Sequence, residues 1–323
     1  MAPVWLWYAM RAGTLGFFSA ANPRIRFGGM GMESKMEIYD LMPDGIKPKT
    51  IFANAGIDED DLKALFRSSQ LSFPVIAKPD IGMKALAVEI IENESELLLY
   101  SKKLNEDFLI QQFIPFKNEI GIFYCRIPGE PDGMITGMVE KEFLKVKGDG
   151  RSTIFHLIRK NPRSALQLAA LQTLHGEKLN TILNGKEEFH LVPFGSHTRG
   201  ARFIDVSNLA SAALHNTVNN WCNQVDEFYF GRLDIRYNTM QELSEGKNCC
   251  LIEINGAGSE PTHIYDPSHS VFFAWKEIAR HWQMLFTISK RNHKRGIPYS
   301  SSKESLRMMR NSRNLEQQLK SIT

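Results

Sequence analysis

Two short runs in the last third of the chain alternate polar and apolar residues, and they restrict the fold more than any other stretch. The first is Tyr229-Phe-Gly-Arg-Leu-Asp-Ile-Arg-Tyr237, the second Cys250-Leu-Ile-Glu-Ile-Asn-Gly-Ala-Gly-Ser-Glu-Pro261. At the two-residue period of a β-strand, Arg232, Asp234 and Arg236 share one face, with Leu233 and Ile235 on the other. In the second run Glu253 and Asn255 share a face, while Ile252 and Ile254 point away. The connection, residues 238–248, is polar, so the spacing predicts an antiparallel hairpin. Pairing the runs gathers an arginine, two carboxylates and an amide on one surface. Such oxygens are hard ligands, suited to magnesium rather than zinc. Read alone, the pattern fits equally well a half-buried sheet with a solvated polar face.

The rest of the chain offers ample material for a core. At 323 residues, with 43% hydrophobic and 23% charged content, it reads as an ordinary soluble globular protein longer than one typical domain. A net charge of +3 gives no ground for a nucleic-acid partner. The basic cluster at residues 290–295 reads as a helix end, where cations oppose the dipole. Cys125, Cys222, Cys249 and Cys250 form no Cys-x-x-Cys pair, which points to structural thiols in a reducing cytoplasm. No signal-peptide pattern with a cleavage site stands out. Residues 4–21 are apolar but hold Arg11 and two glycines. A spanning helix needs about 20 apolar residues without a central charge, so this segment reads as a packed or membrane-surface helix.

Taken in order, Gly28, Gly29 and Gly31 predict a flexible turn able to bring backbone close to a ligand. A helix over 32–41 then places Lys35 in its first turn. The helix N-terminus is already positive, so a bound anion would explain a lysine there, and an exposed lysine on a short helix is the alternative. A strand over 75–77 delivers Lys78 before a Pro-Asp-x-Gly turn, and a returning strand follows at 85–91. A strand-held lysine beside turn N–H groups makes a plausible phosphate cradle, although no Walker pattern occurs. Residues 107–115 predict a strand ending in a proline hinge, and 119–128 with 133–141 two strands of a second sheet. Helices follow over 166–183, 208–228, 265–291 and 302–320, with a strand at 189–193 leading into a loop that carries His197 and Arg199.

The order of these pieces resembles the ATP-grasp superfamily, and within it the D-alanine–D-alanine ligase type of carboxylate–amine ligases. The pieces are a lysine beside a glycine turn, a strand-borne lysine with Pro-Asp-x-Gly, a hinge with a downstream glutamate, then Arg-x-Asp and Glu-x-Asn. The resemblance covers roughly residues 28–291. It implies an α+β fold of two lobes clasping ATP, divided as residues 1–30 (an apolar helical segment, a reduced front region), 31–115 (smaller lobe), 116–295 (larger lobe) and 296–323 (helical tail). By position, it implies that Lys35 and Lys78 hold ATP phosphates, that the hinge with Gln112 and Ile114 meets adenine, and that Glu119 binds the ribose. Lys141 matches a further phosphate contact, with Lys145 and Lys147 competing for the role. Asp234, Glu253 and Asn255 match the metal set for two Mg²⁺ ions, with Mn²⁺ an alternative. Arg232 matches the arginine that steadies the transferring phosphoryl group. Gly256 and Gly258 lie where backbone N–H groups would stabilise a tetrahedral intermediate.

The implied reaction is activation of a carboxylate as an acyl phosphate, then attack by an amine, releasing ADP and phosphate. An ATP-grasp kinase and a silent ATP-binding module are the alternatives. The departures bear on the substrate. About thirty residues precede the glycine turn where these ligases carry a sizeable α/β domain, so D-alanine does not carry over. Gly82-Met-Lys-Ala85 stands where Gly-x-Arg-Gly is usual. Residues 148–154 are similar to the ATP-grasp part of cyanophycin synthetases, which join amino acids to a peptide. His197 and Arg199 suit a substrate carboxylate or a loop tether equally. Expected partners are therefore a small carboxylate and an amine, an amino acid or peptide, in the cytoplasm. Peripheral membrane contact through residues 4–21 and a homodimer stay open.

Overall fold

The structure is a computed structural model describing residues 1–192, 195 and 200–322. In chain order its elements are α1 Ala2–Ala12, α2 Lys35–Leu41, β1 Thr50–Ala53, α3 Glu59–Ser68, β2 Val75–Pro79, β3 Glu89–Ile91, α4 Glu94–Lys103 and β4 Phe108–Gln112. There follow β5 Asn118–Cys125, β6 Met134–Glu142, β7 Lys145–Lys147, α5 Ile154–Lys160, α6 Pro162–Ala165, α7 Leu168–His175, β8 Glu188–His190 and β9 Arg202–Asp205. The chain ends with α8 Ala212–Gln224, β10 Phe230–Tyr237, α9 Met240–Ser244, β11 Cys249–Asn255, α10 Val271–Lys294 and α11 Ser302–Ile322. The fold is mixed α+β.

The chain's own contacts divide it into two compact units, Glu140–Ile204 and everything else. The larger unit holds two sheets. One is four-stranded and antiparallel, in the order β1-β4-β2-β3. The other runs β11-β10-β5-β6-β9, and its last two strands carry the chain to the smaller unit and back. Two clusters of apolar side chains in the larger unit draw on α11. Leu315 and Leu319 pack with Leu62, Leu97, Phe108 and Ile110 around the four-stranded sheet. Met308, two turns earlier, packs with Phe17, Phe123, Phe230 and Phe286. Burying an amphipathic stripe in this way holds a charged helix that propensity alone would leave marginal. The smaller unit has its own core of Val146, Ile154, Leu171, Leu183 and Leu191 around the β7–β8 ribbon.

Helix starts follow local chemistry. Ser34, Asp58, Asn93, Ser211 and Ser270 each accept a hydrogen bond from a backbone N–H two or three residues on, satisfying a donor the first turn leaves unpaired. Several elements are shorter than the sequence pattern predicts. The strand expected over 85–91 begins only at Glu89, because Lys84, Ala85 and Ala87 all have left-handed φ of 52–58°. The helix expected over 166–183 is broken at Gly176, and that over 208–228 is confined to α8.

The N-terminal expectation needs correction. The helix ends at Gly13, left-handed at φ 73°. Residues 17–21 turn inward instead, with Phe17, Phe18, Ala20 and Ala21 fully buried. That half of the apolar stretch builds the protein's own core and is closed to a membrane. No helix of the described residues is long and apolar enough to cross one.

Candidate active site

The predicted hairpin forms. β10 and β11 pair antiparallel, with Arg232 opposite Asn255 and Asp234 opposite Glu253. The register then slips, because Ile235 faces Leu251 and Ile252 is an extra residue. This β-bulge corrects the expectation that Ile252 simply points away from Glu253, since both are half-buried. It also turns the Ile252 carbonyl toward the small sheet, where the Tyr39 hydroxyl donates to it. The connection is no plain turn, as it contains the short helix α9.

On β10, Arg232 grips Asp234 with two hydrogen bonds, Nε to Oδ1 at 2.9 Å and Nη2 to Oδ2 at 3.0 Å. The Asn255 amide donates to Asp234 Oδ2 at 3.3 Å. Gly121, across on β5, leaves room for this pair, since a Cβ there would lie 3.2 Å from both Arg232 Cδ and Asp234 Oδ1. Two residues further along, buried Glu119 accepts from Arg236 Nε at 3.0 Å, and Arg236 also donates to the Phe116 carbonyl. Glu119, predicted as a ribose ligand, thus stands paired at the mouth of the hinge.

The two lysines arrive from the four-stranded sheet and its glycine turns. Lys78, at the end of β2, is buried and donates to Tyr39 Oη at 2.7 Å and Gln111 Oε1 at 3.0 Å. Burial pushes its pKa down to about 8, opposed chiefly by the Glu253 charge. Lys35 opens α2, and its Nζ donates to the Asp80 and Gly82 carbonyls at 3.2 and 2.9 Å. Burial lowers its pKa also, again with Glu253 as the main opposing charge. Asp80, in the Pro-Asp-x-Gly turn, locks this corner by accepting from Ser34 Oγ and the Met36 N–H. Lys78 thus reaches β11 through Tyr39, whose hydroxyl donates to the Ile252 carbonyl.

Three side chains here were not singled out from sequence. Tyr39 links Lys78 to β11, and Gln111 orients Lys78; nothing but an intermediate helical or strand position marks either one. Glu33 is the third. Its Oε2 is buried with no hydrogen-bond partner, and burial raises its pKa while Lys35 counters and Glu253 reinforces the shift. Its place between a glycine turn and Lys35 was the available signal. Beyond the hairpin, the Tyr265 hydroxyl donates to the Glu260 carboxylate.

Other expectations fare differently. Gly28 and Gly29, both at left-handed φ as a turn requires, pack against the backbone after the hairpin: the Ala257 N–H donates to the Gly28 carbonyl at 2.9 Å and the Gly258 N–H to Gly29 at 2.8 Å. A Cβ on Gly256 would stand 2.4 Å from the Gly28 oxygen, so the glycines serve backbone-to-backbone packing. Of the two N–H groups expected to stabilise a tetrahedral intermediate, that of Gly258 donates to the Gly29 carbonyl in this structure. In the hinge, the Gln112 N–H donates to the Lys49 carbonyl, and Ile114 is half-buried just past β4. Lys141 is buried within the smaller unit. His197 and Arg199 lie outside the described residues.

No group of three His, Cys, Asp or Glu converges among the described residues. The set on the hairpin is instead two carboxylates and an amide, an all-oxygen donor set that fits Mg²⁺. The Arg232 guanidinium now neutralises Asp234, as a bound cation would.

Comparison with known proteins gives structural likeness only. No family model and no curated protein matches the chain. It is similar to a D-alanine–D-alanine ligase from Bacillus anthracis at 14% identity and TM-score 0.44, covering 81% of this chain and 68% of that one. It is similar to the VanG D-Ala:D-Ser ligase from Enterococcus faecalis at 11% identity and TM-score 0.45, covering 78% and 61%. A bifunctional glutathione synthetase from Pasteurella multocida is similar at 12% identity and TM-score 0.41, covering 74% and 34%, so this chain spans about a third of that protein.

Proposed function

We propose that the chain is an ATP- and Mg²⁺-dependent ligase of the ATP-grasp type, joining a carboxylate to an amine with release of ADP and phosphate. One observation carries this reading. Lys78 at the end of β2 donates to the Tyr39 hydroxyl, which donates in turn to the Ile252 carbonyl next to Glu253 on the hairpin, where Arg232, Asp234 and Asn255 also stand; Lys35, at the start of α2, feels the same Glu253 charge. Phosphoryl transfer asks mainly for charge neutralisation and alignment. Lys35 and Lys78 would hold the triphosphate, and the drop in their pKa from burial marks cations that an anion would re-stabilise. Asp234, Glu253 and the Asn255 oxygen would hold Mg²⁺, which neutralises phosphate charge when bound. Arg232, released from Asp234, would then steady the phosphoryl group in flight. A substrate carboxylate oxygen attacks the γ-phosphorus and ADP leaves. An amine nitrogen attacks the acyl carbon, phosphate leaves and the nitrogen gives up a proton.

A second reading is favoured by one specific feature. With the Ala257 and Gly258 N–H groups engaged by Gly28 and Gly29, the donors for a tetrahedral intermediate are reduced. An ATP-grasp kinase, which phosphorylates a hydroxyl and stops, would not need them. Incubation with ATP, Mg²⁺ and pooled carboxylates, amino acids and short peptides, followed by mass spectrometry, separates the two. An amide with ADP supports the ligase, a stable phosphoester supports the kinase, and nucleotide binding without turnover contradicts both.

A further inference from the structure

Outside the set of lysines and hairpin carboxylates, α1 violates the usual rule for a surface helix. Its inward stripe of Trp5, Tyr8 and Ala12 packs around buried Ala9 against Phe17 and Phe286, as an amphipathic helix should. Its outward stripe ought then to be polar. It presents Leu6, Trp7 and Met10 instead, 51%, 55% and 69% exposed. A helix apolar all round is at home only in a core or in lipid, and at 11 residues α1 is too short to span a bilayer.

What lies beside it supplies the second half of the argument. Trp7, Arg11, Lys290, Arg291 and Lys294 line one groove of about 370 Å³, and none of its lining residues is acidic. The Arg11 guanidinium stands over the Trp7 and Phe286 rings, and Lys290 over Phe286. The sequence of α1 contains no Asp or Glu, and α10 none after Glu277. An exposed tryptophan and aliphatic side chains edged by cations, with no acidic side chain among the groove's described lining, match the two layers of an anionic bilayer surface. Apolar groups enter the acyl boundary while lysines and arginines meet phosphate headgroups. We infer that α1 and the C-terminal half of α10 form a docking face for an anionic lipid surface. It places the enzyme on a membrane with residues 2–12 lying in the interface plane, and it does not depend on the activity proposed above.

Flotation of the full chain with vesicles at low salt tests this. The chain should float with vesicles of phosphatidylglycerol and phosphatidylcholine in equal parts, and stay behind with phosphatidylcholine alone. Lys290→Glu with Lys294→Glu should cut partitioning about tenfold or more, and Trp7→Ser should weaken it separately. All three positions are at the surface, and unchanged thermal unfolding would show that the variants fold. The inference is overturned if the wild type fails to float or if the variants float equally. Displacement by inorganic phosphate at matched ionic strength would overturn it too. So would a stable dimer, dispersed by Trp7→Ser, that ignores vesicles.

Discussion

Replacing Lys78 by Met separates a functional charge from a structural one. Lys78 is 8% exposed, and burial holds its pKa at about 8 against an ordinary 10.5. A depression of that size means the fold spends roughly 3 kcal/mol near neutral pH keeping the ammonium charged. Methionine has nearly the same length and carries no charge. The variant loses the hydrogen bonds to Tyr39 and Gln111, which offsets about 1–3 kcal/mol of the gain. Net stability should therefore be unchanged or up by about 1–2 kcal/mol, read by urea unfolding at pH 7. Nucleotide affinity should move the other way. A buried lysine facing phosphate oxygens contributes about 1.5–3 kcal/mol, a weakening of roughly 10- to 100-fold in calorimetric titration with a non-hydrolysable ATP analogue. A variant destabilised by more than about 2 kcal/mol that kept its nucleotide affinity would refute the reasoning, because Lys78 would then be a structural residue.

The same lysine sets a pH signature. Its folded pKa lies below its unfolded value, so between about pH 8 and 10.5 the unfolded state binds more protons and stability rises with pH. Wild type should thus gain on Lys78→Met between pH 8 and 9.5, and parallel denaturation curves for the two would contradict this. Arg236→Met breaks the buried 3.0 Å ion pair to Glu119, which should cost about 3–5 kcal/mol in chemical denaturation, partly recovered by adding Glu119→Gln. Gly29→Ala must adopt φ +80° with its Cβ 2.7 Å from Gly256 Cα. About 2–4 kcal/mol should be lost, seen as a lower Tm, and a neutral result would mean the two glycine turns do not pack as described.

Much of this was open to a sequence reader, for identifiable reasons. The hairpin was legible because Arg232, Asp234 and Arg236 alternate with buried Leu233 and Ile235, and alternation is a local signal. Lys78 was legible because the apolar run before it and Pro79 after it fix the strand end. The bulge at Ile252 was not, since it depends on what β11 meets at Tyr39, more than two hundred residues away. The packing of the glycines was hidden for a similar reason. Gly28 and Gly29 look like freedom in the sequence, and only the fold shows Gly256 pressed against them. The N-terminal apolar stretch divides at Gly13 because Phe17 finds Phe286, a long-range contact that composition cannot announce. The separate compactness of residues 140–204 was likewise hidden among short strands and helices of ordinary pattern.

The central claim is that Glu253 works as a metal-holding carboxylate acting with the two lysines. Mg²⁺-dependent ADP release by the wild type and by Glu253→Gln, each at matched folded fraction, tests it most directly. The account predicts turnover that depends on Mg²⁺ in the wild type and is abolished in the variant, with unfolding of the variant essentially unchanged. Wild-type turnover in Glu253→Gln would contradict it.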